Sequence, residues 1–496
     1  MSIEIIVGIN WGDEGKGRMV DYLAQNADVV VRYQGGNNAG HTVVNERGTF
    51  KLHLIPSGVF NPAVTNVLGP GTVIDIEALA REIQDLQGRG ISPVNLKVSD
   101  RATICFPFHW HEDAWEEERL ERGGQLPFGS TKRGIAPAYG DRAVKKAIQV
   151  GELLHPVWLK ERLRQVVEWK NLIARGVYGK EHGVSFEETW DWVNTFGNRI
   201  KHMICDTTVL LDEAARQNKR ILFEAQLGSL RDVYFGIYPY TTSSSALAAF
   251  APIGGGLFGA APDRVLGVMK AFATCVGEGP FVTEILQSEV ANELREVAEE
   301  YGASTGRPRR IGHFDALASR YGAYVQGATE IALTKLDSLS GRKTLLICTH
   351  YEIDGKASLA DDLSEASLPS SRPERELASL AEGLSEARHD SGVDLRNSQT
   401  EKQRWSAGYQ DSDSGVGRLN SKAIKEFPIN AVLEQCRPVY QEMEGWQEDI
   451  SHIRNFSELP KAAQAYVLEI ERLIARPIRY VSVGAARDCL IDRGTL

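Results

Sequence analysis

Gly12-Asp13-Glu14-Gly15-Lys16-Gly17 stands between the apolar run Ile3 to Val7 and the stretch Met19-Val20-Asp21-Tyr22-Leu23-Ala24, and its reading decides the fold class. The pattern is strand, glycine-rich loop, helix. Glycines let the backbone approach a phosphate closely, and a helix N-terminus favours the anion. The loop departs from the usual phosphate-binding loop because Gly17, not Ser or Thr, follows Lys16. It also carries Asp13. A carboxylate beside phosphates serves as a metal ligand, a general base or both.

Outward from this loop, further apolar runs read as buried strands: Val29-Val30-Val31, Ile221-Leu222-Phe223, Ile331-Ala332-Leu333 and Tyr480-Val481-Ser482-Val483. Helical stretches such as Ala78 to Leu86 and Val157 to Trp169 lie between some of them. Strands mixed with helices predict an α/β fold with a largely parallel sheet. The chain has 496 residues and a net charge of -10, with 42% hydrophobic and 25% charged residues, as expected of a soluble globular protein of one large domain or several smaller ones. The acidic balance, with no basic tail, argues against nucleic acid as a partner. No apolar run is long enough to span a membrane, and Met1-Ser2-Ile3-Glu4 lacks the pattern of a secretion signal. Cys105, Cys205, Cys275, Cys348, Cys436 and Cys489 are far apart and form no CxxC pair. That spacing points away from disulfides and structural zinc, and towards a reducing cytoplasm.

From about Lys356 to Lys422 the composition changes. Ser, Glu, Asp and Arg dominate, and Trp405 and Tyr409 are the only aromatics. Pro373 suits the start of a helix carrying Leu377, Leu380 and Leu384 on one face, and the remainder reads as flexible. The expected domain plan is a body of residues 1–355 and 423–496 with 356–422 as a surface insertion; a partner-docking or regulatory arm is the alternative.

Four more stretches carry chemistry. Gln34-Gly35-Gly36-Asn37-Asn38-Ala39-Gly40-His41-Thr42 follows the Val29 run, and His41 there suits a general acid or a stabiliser of a transferred phosphoryl group. The two loops leave consecutive strands, so their tips are expected to share one cleft. Gly129-Ser130-Thr131-Lys132-Arg133-Gly134 offers hydroxyls, backbone amides and two cations for a phosphate or carboxylate. Gly302-Ala303-Ser304-Thr305-Gly306-Arg307-Pro308-Arg309-Arg310 ends in three arginines, whose planar forks suit bidentate anion recognition. In Thr334-Lys335-Leu336-Asp337, after an apolar run, Asp337 suits guanine N1 and N2, and the stem of Lys335 suits the face of the base.

In this order the motifs resemble the adenylosuccinate synthetase family, which joins IMP to L-aspartate using GTP. The resemblance also rests on His53-Leu-Ile-Pro-Ser-Gly58, Arg133-Gly-Ile-Ala-Pro-Ala-Tyr139, Tyr238-Pro-Tyr-Thr-Thr-Ser-Ser244 and Gly277-Glu-Gly-Pro-Phe281. It implies helices on both faces of the sheet, a nucleotide site like that of P-loop NTPases, and helical subdomains. It implies that Asp13 takes the N1 proton of IMP, so that O6 attacks the γ-phosphate of GTP. Lys16 and His41 would balance the phosphate charge, and aspartate would then displace phosphate at C6. By the resemblance IMP is held by Asp13, Glu14, Gly15, Lys16, Asn38, Ala39, Gly40, His41, Thr131, Lys145, Thr242 and Arg307. Ala303, Ser304, Thr305, Gly306, Arg307 and Arg309 would hold L-aspartate. Gly12, Gly15, Lys16, Gly17, Gly40, Thr42, Arg309, Lys335, Asp337, Ser482 and Gly484 would hold GTP, and Asp13 and Gly40 would hold Mg²⁺. A homodimer is implied, with one subunit's basic residue reaching the partner's IMP.

Several positions depart from the family pattern. The dimer-crossing arginine aligns with Lys145, so the charge stays and the fork is lost. Phe223-Glu224-Ala225-Gln226-Leu227-Gly228 puts Leu227 where a nucleotide-contacting glutamine is expected, with Gln226 one place early. Cys275 and Pro308 replace arginines, Asn10 a glutamine, and Pro70 an asparagine. Two alternatives follow: the same chemistry on another purine monophosphate such as dGMP, or a nucleotide-binding regulator without ligase activity. Phage relatives that use dGMP tend to lack the carboxylate at the Asp13 position, and intact Asp13 and His41 disfavour the regulator.

Overall fold

The computed structural model describes residues 1–38, 40–181, 183–302, 306–354 and 421–494. The expectations for Ala39, Ala303, Ser304, Thr305 and the segment from Lys356 to Asn420, including the helix opened by Pro373, lie outside the described residues. By its contacts the chain divides into Met1–Glu352 with Ala423–Leu496, and Ile353–Lys422. The sheet and the site belong to the first unit.

That unit is built on a ten-stranded sheet. From one edge the strands run Leu490–Asp492, Ile478–Ser482, Glu330–Thr334, Arg264–Lys270, Ser2–Gly8, Arg220–Gly228, Val29–Arg32, Thr65–Leu68, Leu96–Ser99 and Ile204–Cys205. All pairings are parallel except that of the edge strand Leu490–Asp492. The central strands are buried on both faces, which explains why they read as continuous apolar runs and do not alternate. The predicted helices are present as Ile76–Gly88 and Pro156–Gly176. Four helices from Pro107–Arg122 to Phe186–Ile200 fill the long connection between the Leu96–Ser99 and Ile204–Cys205 strands.

The topology sets the site. Strands Ser2–Gly8 and Val29–Arg32 are consecutive in the chain, but Arg220–Gly228 lies between them in the sheet. The register between Ser2–Gly8 and Arg220–Gly228 passes from Ile6↔Glu224 to Gly8↔Gly228, so Ala225, Gln226 and Leu227 stand opposite Val7 alone. This bulge turns Leu227 into the left-handed region, at φ 62°. A Cβ on Gly228 would lie 2.4 Å from the Asn10 carbonyl oxygen, so the close approach of the two chains here requires glycine. The chemistry-bearing loops leave the carboxyl ends of these parallel strands, the side on which open α/β sheets bind ligands.

Candidate active site

The first loop ends at Gly15, whose left-handed φ of 96° starts the helix Lys16–Ala24 with no side-chain cap. Its first amides are thus left for a ligand. A Cβ on Gly17 would fall 2.9 Å from the Cβ of His41, so the histidine of the second loop packs where a phosphate-binding loop usually carries a hydroxyl residue. Asp13 adopts φ 58°, uncommon for a residue with a side chain. The ammonium of Lys16 is buried against Glu14 at 2.6 Å, and Glu14 also accepts the Gly12 amide at 2.7 Å. Lys16 is therefore held by its own loop.

His41 is the first residue of the hairpin strand His41–Asn45, not part of the loop proper. Its Nδ1 lies 2.5 Å from Glu224 Oε1, and that buried carboxylate also accepts the Ser57 amide at 2.9 Å and hydroxyl at 2.7 Å. Burial works against the charge on Glu224, but His41, Arg32 and Ser57 outweigh it and lower its pKa. An ionised carboxylate only accepts, so Nδ1 carries the proton. Burial likewise lowers the pKa of His41 despite Glu224, so the free ring is neutral near pH 7. Its Nε2 is buried without a partner.

Of the residues expected around IMP, Asp13, Asn38, Gly40, Thr131 and Thr242 line one cavity of about 750 Å³, together with Gly12, Gly302 and Arg309, whereas Glu14, Gly15, Lys16, His41, Lys145 and Arg307 are not in its lining. Asn38 accepts 2.9 Å from the amide of Gln226, which also reaches the Gly36 carbonyl and accepts from Arg32. Gln226 thus works behind the cavity, and Leu227 lines it. Asn37 donates to Asp75 at 2.8 Å, and Asp75 caps the helix Ile76–Gly88 through the Ala78 amide, tying the second loop to a helix end.

The Gly129–Gly134 stretch differs from its sequence reading. Glu117 accepts the amides of Phe128, Gly129 and Ser130, while Asp113 takes the Ser130 hydroxyl at 2.6 Å and the Gly134 amide at 2.9 Å. These donors organise the loop and are not free for an anion; Thr131 remains at the cavity wall. Lys145 is exposed, adopts a left-handed φ of 64° and does not itself line the cavity. The guanidinium missing at Cys275 comes from Arg231, which donates to Cys275 Sγ at 2.9 Å and to the Val276 and Glu278 carbonyls at 2.6 and 3.2 Å.

Arg309 is buried and meets Asp13 Oδ2 at 2.9 Å. Burial opposes the charge on Asp13, but Arg309, Lys270, Lys16 and His41 together hold its pKa below the usual value. Arg307 and Gly306 are exposed. The residues expected to read guanine lie outside this cavity's lining, at the ends of the neighbouring strands Glu330–Thr334 and Ile478–Ser482, where the Leu336 amide donates to the Ser482 carbonyl at 3.3 Å. Lys335 gives its ammonium to the Ala298 carbonyl at 2.7 Å, and Asp337 Oδ1 is buried without a partner. Arg18 holds the Ser482 hydroxyl and the carbonyls of Ala486 and Cys489, beside Gly484. Thr42 is exposed on the hairpin.

Sequence reasoning missed Glu224, Glu300, Lys270, Asp113, Glu117, Arg231 and Arg18. Glu224 left a signal: a carboxylate inside the run Ile221-Leu222-Phe223 must find a partner if it is buried. The others are paired across distances that no local pattern reports.

A model of the family described as "Adenylosuccinate synthetase" matches residues 5–380 and 410–491. The unmatched stretch lies within the segment read as an insertion. "Adenylosuccinate synthetase 2" of Pseudoalteromonas translucida is 43% identical over 490 residues, covering 99% of both chains. The adenylosuccinate synthetase of Caldanaerobacter subterraneus is 39% identical over 491 residues, covering 98% of both. Among solved structures, fully ligated adenylosuccinate synthetase from Plasmodium falciparum superposes with a TM-score of 0.81 at 29% identity, over 100% of both chains.

Proposed function

This chain belongs to the adenylosuccinate synthetase family, and we propose that Asp13 is the base that starts its reaction. It is a carbon–nitrogen ligase of purine nucleotide biosynthesis that joins L-aspartate to C6 of IMP at the expense of GTP. Asp13, held ionised by the cations around it, takes the N1 proton of IMP. The electron pair moves to O6, which bonds to the γ-phosphorus as the bond to the β-phosphate oxygen breaks and GDP departs. The amino group of aspartate then bonds to C6, and phosphate leaves with O6. The observation that carries this reading is the convergence of Asp13, Asn38, Gly40, Thr131, Thr242 and Arg309 on one cavity.

His41 works through Nε2. With Nδ1–H committed to Glu224, Nε2 donates only when the ring is protonated, a state that an arriving phosphoryl anion favours. Lys16, released from Glu14 towards phosphate, neutralises charge beside the open helix N-terminus. Asn38, Thr131, Thr242 and Arg307 hold IMP, Ala303 to Arg309 hold aspartate, and Lys335, Asp337, Ser482 and Gly484 hold guanine. The unpartnered Oδ1 of Asp337 supports the last assignment. The Asp13 carboxylate, its side chain 25% exposed, and the Gly40 carbonyl are hard oxygen donors on the cavity wall that fit Mg²⁺, which prefers few protein ligands plus substrate phosphates. Bound there, Mg²⁺ would supply phosphate charge neutralisation.

The enzyme works as a homodimer in the cytoplasm, with exposed Lys145 reaching the partner's IMP. The six cysteines are free, in keeping with that compartment. Purified protein given IMP, GTP, Mg²⁺ and L-aspartate is expected to form adenylosuccinate, GDP and phosphate. Product with dGMP and none with IMP would overturn the acceptor; nucleotide binding without turnover on any purine would overturn the ligase.

A further inference from the structure

Behind Asp13 lies a chain of buried charge that the reaction as written does not use. Arg309 presents one terminal nitrogen, Nη2, to Asp13 Oδ2 at 2.9 Å and the other, Nη1, to Glu300. Glu300 is buried, and its Oε2 also accepts from Lys270 at 2.7 Å. Lys270 ends the strand Arg264–Lys270 and donates in turn to Thr274 Oγ1 at 2.7 Å. The Arg309 amide donates to the Glu300 carbonyl at 3.0 Å, so side chain and backbone hold the two residues together. Glu300 Oε1 and Arg309 Nε are buried without partners. Such a network is costly to bury, and hydrophobic residues of the same shape would stabilise the fold as well or better. Its geometry therefore calls for a role beyond stability.

A guanidinium facing one carboxylate takes both oxygens in a fork. Here the fork is split, and Asp13 receives a single arm. We propose that Glu300, fixed by Lys270 and Thr274, is a positioning residue that holds one arm of Arg309 and so prevents Arg309 from clamping both oxygens of the base Asp13. The inference rests on the assignment of Asp13 as base. Without Glu300, Arg309 turns its full fork on Asp13 and engages both oxygens of the base. The other charged groups facing Asp13 remain: Lys16 with Glu14 on its own loop, and His41 with Glu224 across the cavity.

The test compares native enzyme with Glu300→Gln and with the double variant Glu300→Gln/Lys270→Met, which leaves no lone buried charge if the single variant fails to fold. kcat and the KM for IMP are measured with IMP, GTP, Mg²⁺ and aspartate. In both variants kcat is expected to fall about 100-fold, the low end of what a positioned general base contributes. The KM for IMP changes little, because Glu300 and Lys270 act through Arg309 on the base. A folded variant of either kind with native kcat, or with a KM for IMP that rises in step with the fall in kcat, overturns the inference. Native enzyme that makes no product at all would instead overturn the function on which it rests.

Discussion

Glu224→Gln removes one charge without opening a cavity, and its cost can be worked from three contacts. The amide oxygen can keep the His41 Nδ1–H and the Ser57 hydroxyl, both of which reach Oε1 in the native protein. The amide nitrogen then faces the Ser57 amide, 2.9 Å from the native oxygen, and two donors meet. An unsatisfied buried donor costs about 1–3 kcal/mol, and weakening a charge-assisted bond to a neutral one costs roughly 1 kcal/mol. Stability should fall by about 2–4 kcal/mol. Catalysis should suffer separately. Without the carboxylate, protonated His41 loses the anion that supports it, and the donor at Nε2 is formed less readily. Loss of the negative charge opposite the protonated ring, put at roughly 1.5–3 kcal/mol as for a bond to a charged group, predicts a fall in kcat of about 10- to 150-fold. Because the protonated ring is the working form, the basic limb of kcat should move to lower pH. Steady-state kinetics across pH, with urea denaturation of both proteins, checks this. A variant that keeps kcat within about twofold while losing stability as predicted would refute the coupling of Glu224 to the working form of His41.

Asp113→Ala strips the Ser130 hydroxyl and Gly134 amide of their acceptor; the KM for IMP should rise about tenfold or more while kcat holds within a few-fold, because the loop is disordered and the reacting groups are untouched. Asp315 is buried, caps the helix Ala316–Val325 and accepts from Tyr351 at 2.6 Å; burial pushes its pKa up from 3.8 to about 6. Its carboxyl thus stabilises the fold most when protonated, and that contribution fades as pH rises from about 4 to 6, by about 3 kcal/mol at 1.4 kcal/mol per unit. Urea denaturation of Asp315→Asn should show the variant gaining on native protein across that window; parallel curves would contradict the raised pKa.

The parts legible in sequence were those in which one short segment carries both its geometry and its chemistry. Gly12 to Gly17 states its turn in glycines and its role in Asp13 and Lys16, and the strand runs state their burial on both faces. The Gly129–Gly134 stretch misled because its donors are local, whereas the carboxylates that consume them, Asp113 and Glu117, lie on a preceding helix. Glu224 reaches His41 because a late strand enters the sheet between two early ones, a fact of topology that no spacing encodes. The same holds for Lys270, Glu300 and Arg309, which meet from a strand end, a turn and a loop. Arg231 beside Cys275 shows how a charge absent from its expected position is supplied from elsewhere in the chain, here the turn Ser229–Arg231.

In the proposed reaction O6 of IMP becomes the nucleophile once Asp13 removes the N1 proton, and an oxygen label follows that atom. IMP carrying oxygen-18 at position 6, incubated with the enzyme, GTP, Mg²⁺ and L-aspartate, should deliver the label to inorganic phosphate in step with adenylosuccinate. Adenylosuccinate formed with unlabelled phosphate, the oxygen-18 leaving as water, would contradict it.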